Sequence, residues 1–273
     1  MNQANQPYAA GRAKGVGLRG DERPRIALPV PTAANFEYNQ RCLPLYAEAV
    51  RAAGGEPVEI SLLADESVWR EIAAHCDGVL LPGSPADVDP ARFGEEAIDA
   101  CSPADPAREA LDYLLLNDAE KLGKPVLGIC FGVQSMNTWR GGKLVQDLVP
   151  SPVNHGAGPS VAIAHTALVA VDSLLGSLVD RSEAEEVDGY FRLPVNTSHH
   201  QAVAVPGDDL RIVARCPEDA VIEAVEADTS EGRFLLGVQW HPERSTAISG
   251  TSRAMFARLV EEARGFQQKK AGV

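Results

Sequence analysis

The sequence predicts an α/β protein: an open, mostly parallel central sheet with helices on both faces, plus short antiparallel strands. Two observations carry that prediction. Between residues 25 and 140, short β-branched or aliphatic runs alternate with longer stretches of helical character, as in a chain of strand–helix–strand units. After Gly141-Gly142 the texture changes to several short strand-like runs with no long helix until the C-terminal end.

Taken in order, residues 1–23 are rich in Asn, Gln, Gly, Ala and Arg and read as a disordered N-terminal tail. The tail holds Gly15-Val16-Gly17-Leu18-Arg19-Gly20, a literal G-x-G-x-x-G. A dinucleotide fingerprint must follow a strand and open a helix, and this one precedes the first strand, so it is a decoy. Residues 25–30 form the first strand, 39–53 a helix ended by Gly54-Gly55, and 57–60 a second strand. A helix over 65–74 carries Asp65 and Glu66 in its first turn, where the helix dipole favours them. Strand 78–81 runs into Pro82-Gly83-Ser84-Pro85, a turn at the carboxyl end of a strand, where open α/β sheets place ligand-binding loops. Ser102-Pro103-Ala104-Asp105 starts a helix that stops at Gly123. Strand 126–129 and a helix from 133 to 140 follow, then short strands at 161–171, 193–195, 202–205, 210–216, 221–226 and 234–240. An amphipathic helix over 251–263 and a basic tail close the chain. With no internal repeat and no low-complexity linker, residues 24–265 read as one domain, with 266–273 as a C-terminal tail.

Composition narrows the function. A formal charge of −13 argues against nucleic acid or an anionic membrane as partner. Five scattered cysteines without a C-x-x-C pair suit reduced thiols in the cytoplasm. No apolar leader and no stretch near the ~18 apolar residues of a membrane span is visible.

The stretch that carries chemistry is Gly128-Ile129-Cys130-Phe131-Gly132. A G-x-C-x-G between a buried strand and a helix is the sulfur version of the nucleophile elbow, a strained turn whose neighbours must be tiny. Such a cysteine stands beside the positive end of a helix, a setting that stabilises thiolate. A nucleophilic cysteine needs a base, and the base needs an orienting group. Of six histidines, His75 and His165 read as structural or surface residues and His155 lies in a loop. His199 and His200 are adjacent, so on extended chain they point to opposite faces and cannot chelate one metal together. His241 stands just past an apolar strand, and Pro242 keeps the chain out of a helix. At spacing two, Glu243 projects to the same side and can accept the Nδ1 proton of His241.

These stretches resemble a known family. Gly128 to Gln134 together with Gly237-Val238-Gln239-Trp240-His241-Pro242-Glu243 is similar to the class I glutamine amidotransferases. Residues 80–90 with Phe93-Gly94-Glu95, Asp105-Pro106-Ala107-Arg108-Glu109, and Val195-Asn196-Thr197-Ser198-His199-His200-Gln201 look like the γ-glutamyl-γ-aminobutyrate hydrolase branch. The resemblance spans residues 25–260 and implies a flavodoxin-like sheet and a Cys130–His241–Glu243 triad. It further implies an oxyanion hole from the backbone N–H groups of Phe131 and of Gly83-Ser84, with Gln134, Asn196, Ser198, His199 and Gln201 around a γ-glutamyl group. It implies a small-molecule γ-glutamyl substrate, no cofactor and no metal, and leaves a homodimer open. Phe131 stands where many members of the branch have arginine, which bears on the choice of leaving amine. Asn196-Thr197-Ser198 is also a literal glycosylation sequon, unused in a cytoplasmic chain. The competing expectations are a glutaminase domain that feeds ammonia to a synthetase, and a silent binding protein on the same fold. A cysteine-elbow α/β-hydrolase fits less well, since it expects its acid before the histidine on a separate loop.

Overall fold

A computed structural model describes residues 23–228 and 233–271. The tail with its G-x-G-x-x-G lies outside the described residues. Five strands form the parallel part of a twelve-stranded sheet: β1 (Arg25–Pro29), β2 (Glu56–Ile60), β3 (Gly78–Leu81), β4 (Val126–Ile129) and β12 (Leu235–Val238), in the order β2-β1-β3-β4-β12. Their two-residue alternation sorts side chains to opposite faces. Ile26, Leu28, Leu80 and Leu127 join one core with Tyr46 and Val50 of helix α1 (Phe36–Ala52) and Met255, Phe256 and Leu259 of helix α6 (Gly250–Ala271). Ala27, Val79, Leu81 and Val126 join a second core with helices α2 (Glu66–Ala74), α3 (Pro106–Leu122) and α4 (Phe131–Trp139). The doubly covered parallel sheet expected from the sequence is therefore present.

Beyond β12 the sheet continues antiparallel through β11 (Ile222–Ala227), β10 (Leu210–Arg215), β6 (His165–Ala170), β8 (Tyr190–Val195) and β7 (Glu185–Val187). β5 (Lys143–Val145) pairs with β9 (Ala202–Val205), which touches β11; α5 (Leu174–Leu178) is a short helix after β6. The tertiary fold moves several expected bounds. α1 starts at Phe36 because the Asn35 side chain accepts the N–H of Tyr38, and it carries Pro44 in its interior. α4 opens directly after Cys130 rather than at residue 133. α6 runs past residue 263 to Ala271, where its last turn holds Lys269 and Lys270. β5, β7 and α5 have no distinct signal in the sequence, being only three to five residues long. Among the described residues, no helix is long and apolar enough to cross a membrane.

The glycines of the elbow are demanded by distance. A Cβ on Gly132 would lie 2.2 Å from the carbonyl oxygen of Leu81, and one on Gly128 would lie 2.8 Å from the carbonyl of Gly132. A Cβ on Gly237 would press into Val133 at 2.4 Å. Backbone atoms cannot step aside as a flexible side chain can, so helix α4 sits on β3 and β4 only if these positions stay bare. Gly132→Ala should cost about 1–3 kcal/mol of stability, the usual range for overpacking. A urea midpoint equal to that of the parent protein would refute this reading of the elbow.

Candidate active site

Register brings three strand ends together. Leu81 of β3 pairs with Gly128 of β4, and Ile129 of β4 pairs with Val238 of β12, all parallel. The chain leaves these strands at Gly83, Cys130 and His241, at the carboxyl end of the sheet, the usual address for a ligand site in this architecture. Cys130 has φ 54° and ψ −107°, left-handed backbone that a non-glycine residue holds only under tertiary compulsion. Its N–H donates to Val238 O at 2.9 Å, and its carbonyl accepts the N–H of Val133 at 3.1 Å, so the turn is bonded to strand and helix alike. The residue is 6% exposed. It caps α4, whose first N–H groups have no partner within the helix and whose dipole presents its positive end to the sulfur.

His241 is buried and clamped on its backbone and on its ring. The Asn196 side chain accepts the His241 N–H at 2.9 Å and donates to the His241 carbonyl at 2.8 Å. His241 Nδ1 donates to Glu243 Oε1 at 2.8 Å, and Arg244 lies 3.4 Å from the same carboxylate oxygen. Nε2 is therefore the free edge, without a hydrogen-bond partner, and Cys130 lies near enough to influence the charge on the ring. Burial, the largest single influence, works against charge on this ring. Glu243 and Cys130 together outweigh it and raise the pKa to about 9. At neutral pH the imidazole thus carries a proton on Nε2 as well as on Nδ1.

Two residues without a distinct signal in the sequence complete the surroundings. Tyr46 of α1 reaches the elbow, and its hydroxyl accepts the N–H of Gly83 at 3.0 Å. A Cβ on Gly83 would meet that hydroxyl at 3.0 Å, His241 Cε1 at 3.1 Å and Cys130 Cβ at 3.5 Å, which shows how closely the four residues gather. Burial holds the Tyr46 phenol well above its ordinary pKa, so the hydroxyl keeps its proton and can donate it onward. Arg108 of α3 is fully buried, bonded to Asp112 at 2.7 Å, to Pro31 O at 2.9 Å and to Pro82 O at 2.5 Å. It fastens the turn that carries Gly83. No periodicity in the sequence separates such an arginine from a surface one; only its place inside Asp105-Pro106-Ala107-Arg108-Glu109 hinted at a role.

The other expected site residues fall in three settings. Phe131 is 1% exposed and lies beneath the Arg108 guanidinium, 4.8 Å from it, so it offers a ligand only its backbone. Gln134 donates to Gln201 O at 2.9 Å, Gln201 donates to Gln146 O at 3.2 Å, and His199 Nδ1 bonds Gln201 O at 3.0 Å. Gln134, Asn196, His199 and Gln201 are buried and hold the protein to itself; Ser198 alone is half-exposed. Ser84 is half-buried, with its hydroxyl accepting the N–H of Ala86 at 3.1 Å. The glycosylation sequon is closed, because the amide of Asn196 is spent on His241.

Comparison with known proteins places this architecture. The peptidase C26 family model matches residues 28–243. The chain belongs to the peptidase C26 family, of the glutamine amidotransferase type. It is 32% identical to the γ-glutamyl-γ-aminobutyrate hydrolase PuuD of Escherichia coli strain K12, over 79% of this chain and 83% of that one. It is 33% identical to a protein of Mycobacterium tuberculosis provisionally assigned as a glutamine amidotransferase, over 83% of this chain and 68% of that one. Among solved structures, a protein of Thermoplasma acidophilum provisionally assigned as part of a GMP synthase matches with a TM-score of 0.60 at 14% identity. The match covers 92% of this chain and 98% of that one, and it supports the fold alone.

The charge on His241 depends on its neighbour. In Glu243→Gln the opposing carboxylate is gone while burial stays, so the midpoint followed by NMR of the labelled imidazole should fall from about 9 towards and below neutrality. A midpoint that stays put would show that Glu243 does not govern this ring.

Proposed function

We propose that this protein hydrolyses γ-glutamyl amides through a γ-glutamyl thioester on Cys130. The observation that carries the proposal is a cysteine held in left-handed backbone beside a buried His241–Glu243 pair at adjacent strand ends. The family and the identity to a γ-glutamyl-γ-aminobutyrate hydrolase support the substrate class.

Each residue has one task. The sulfur of Cys130 attacks the γ-carbonyl carbon, forming a C–S bond as the carbonyl π pair moves onto oxygen. When that pair returns, the C–N bond breaks and the imidazolium of His241 gives its Nε2 proton to the departing amine. The neutral ring then takes a proton from water as the water attacks the thioester; the C–S bond breaks, the γ-glutamyl acid leaves, and the sulfur and the protonated ring return to their starting state. Glu243 stabilises the imidazolium, and Asn196 fixes the backbone from which it projects. For the oxyanion we assign the N–H of Phe131 and the N–H of Ser84. Gly83 enters that role differently from the sequence expectation: its amide is engaged by Tyr46, so it acts by leaving room for His241 and by orienting the turn. One donor of this kind is worth ~10²–10³ in rate, so the turn matters nearly as much as a reacting side chain.

Phe131 does not put its side chain into a pocket, so the proposal assigns the choice of leaving amine to other residues. Incubation with γ-glutamyl amides of several amines, with free glutamine as a further arm, and with a diazo-ketone glutamine analogue tests the reading. The expected outcome is amine release, one analogue adduct on Cys130, and loss of both in Cys130→Ser. Release of ammonia from glutamine alone would favour an amidotransferase glutaminase; turnover by the serine variant would sink the thioester.

A further inference from the structure

Behind His241, four side chains from four separate segments converge without a donor among them. His155 comes from the loop between β5 and β6, His165 opens β6, His199 follows β8, and Glu223 lies on β11. All four are buried at their side chains: His155 and His165 are 2% and 3% exposed there, and Glu223 is 0%. One ligand atom from each lies within 4.8 Å of all the others.

The outward hydrogen bonds decide which atoms face inward. His155 Nε2 meets the Asp219 carboxylate at 2.9 Å, His165 Nδ1 meets Thr166 O at 3.2 Å, and His199 Nδ1 meets Gln201 O at 3.0 Å. Each partner only accepts, so each of these ring nitrogens carries the proton and the opposite nitrogen presents a lone pair. His155 Nδ1, His165 Nε2, His199 Nε2 and both oxygens of Glu223 are buried and have no hydrogen-bond partner. Buried acceptors without donors are costly, and here one from each of the four residues faces the other three. One added proton would match a single acceptor and leave the rest opposed.

We propose that His155 Nδ1, His165 Nε2, His199 Nε2 and Glu223 form a closed structural site for one divalent first-row transition ion, with zinc the best fit. Three imidazoles and a carboxylate are a zinc-type donor set, and an outer carboxylate or carbonyl on each ring is how ligating histidines are oriented. The spacing suits it. Zinc–nitrogen bonds of about 2.0–2.1 Å in a tetrahedron put ligand atoms about 3.3–3.4 Å apart. His155 Nδ1 and His165 Nε2 lie 3.4 and 3.5 Å from Glu223 Oε1. A second group, His155 with Cys216 and Asp219, fits worse: the Asp219 carboxylate already accepts from His155, Ser151 and Val221, and burial pushes the Cys216 thiol up to about 12.

The site's place in the fold gives it work. Thr197 Oγ1 and the N–H of His199 both donate to His155 O, at 2.8 and 2.9 Å, and Gln239 N donates to Glu223 O at 2.8 Å. The ligand segments thus flank Asn196 and Gln239, on either side of the chain that delivers His241. With four protein ligands the ion keeps no open position, which makes it a brace. Expectation from the sequence was that no metal is bound, and the spacing of His199 and His200 supported it; neither the loop residue nor the strand residue that completes the set could be placed by spacing along the chain.

Metal content of untagged protein purified without chelator, measured by inductively coupled plasma mass spectrometry, should approach one zinc per chain. Chelation should lower the thermal midpoint and added zinc restore it. Cobalt(II) loading should give the visible d–d bands of a tetrahedral site, unchanged in Cys130→Ser and lost, with the zinc, in His165→Gln and Glu223→Gln. Less than a tenth of an equivalent of metal, with no shift of the midpoint on adding zinc or cobalt, would overturn the proposal even if the two ligand variants fail to fold. So would full metal content in either ligand variant, or a cobalt spectrum that needs Cys130.

Discussion

The whole arrangement rests on the close approach of helix α4 to the ends of β3 and β4. With 2.2 Å between the Leu81 carbonyl and any Cβ at position 132, the helix can be laid on the sheet only by glycine. That approach forces the chain to turn within one residue, and the residue that takes the left-handed angles is Cys130. Strain here is maintained from both sides, by Val238 O below and by the first turn of α4 above. In the proposed reaction a sulfur held this way would lose little freedom on meeting a substrate, because its orientation was settled when the protein folded.

His241 is governed by a second principle, that a buried polar ring must be satisfied on every side but one. Asn196 takes its backbone and Glu243 takes Nδ1, so the ring can turn neither away from the sulfur nor into the other tautomer. Burial alone would strip the ring of its proton, yet Glu243 and the sulfur together keep it charged. The same accounting, applied one layer deeper, leaves the acceptor atoms of His155, His165, His199 and Glu223 unmatched, and that imbalance is the physical basis for placing a cation there.

The proposed site and the sheet that supports it are linked through the antiparallel half. In the parallel half, short loops carry the groups to which the proposal assigns the reaction. The antiparallel strands carry no reacting group in the proposed mechanism, but the connection between β8 and β9 contributes Asn196 and the segment from His199 to Gln201, which hold His241 and Gln134 in place. Arg108 does the equivalent from the other side by anchoring Pro82 before the Gly83 turn. Residues expected to touch ligand are here spent on the protein, which places the site's precision in its supports.

Local patterns were enough to show the alternating strands and helices, the G-x-C-x-G elbow and the pairing of His241 with Glu243. Each is a property of neighbours in the chain: a period of two, two glycines flanking a cysteine, a spacing of two on extended backbone. Their assembly at one sheet end was legible too, because parallel strands in this architecture present the same end to ligand. Tertiary structure decided what depends on partners far away in sequence. It spent the Gly83 amide on Tyr46, 37 residues earlier, and buried Phe131 beneath Arg108. It turned Asn196 to His241, 45 residues later, and gathered three histidines and Glu223 from four segments. Hydrogen-bond satisfaction and close packing are settled between surfaces that only the folded chain brings together, and no spacing along the sequence encodes them.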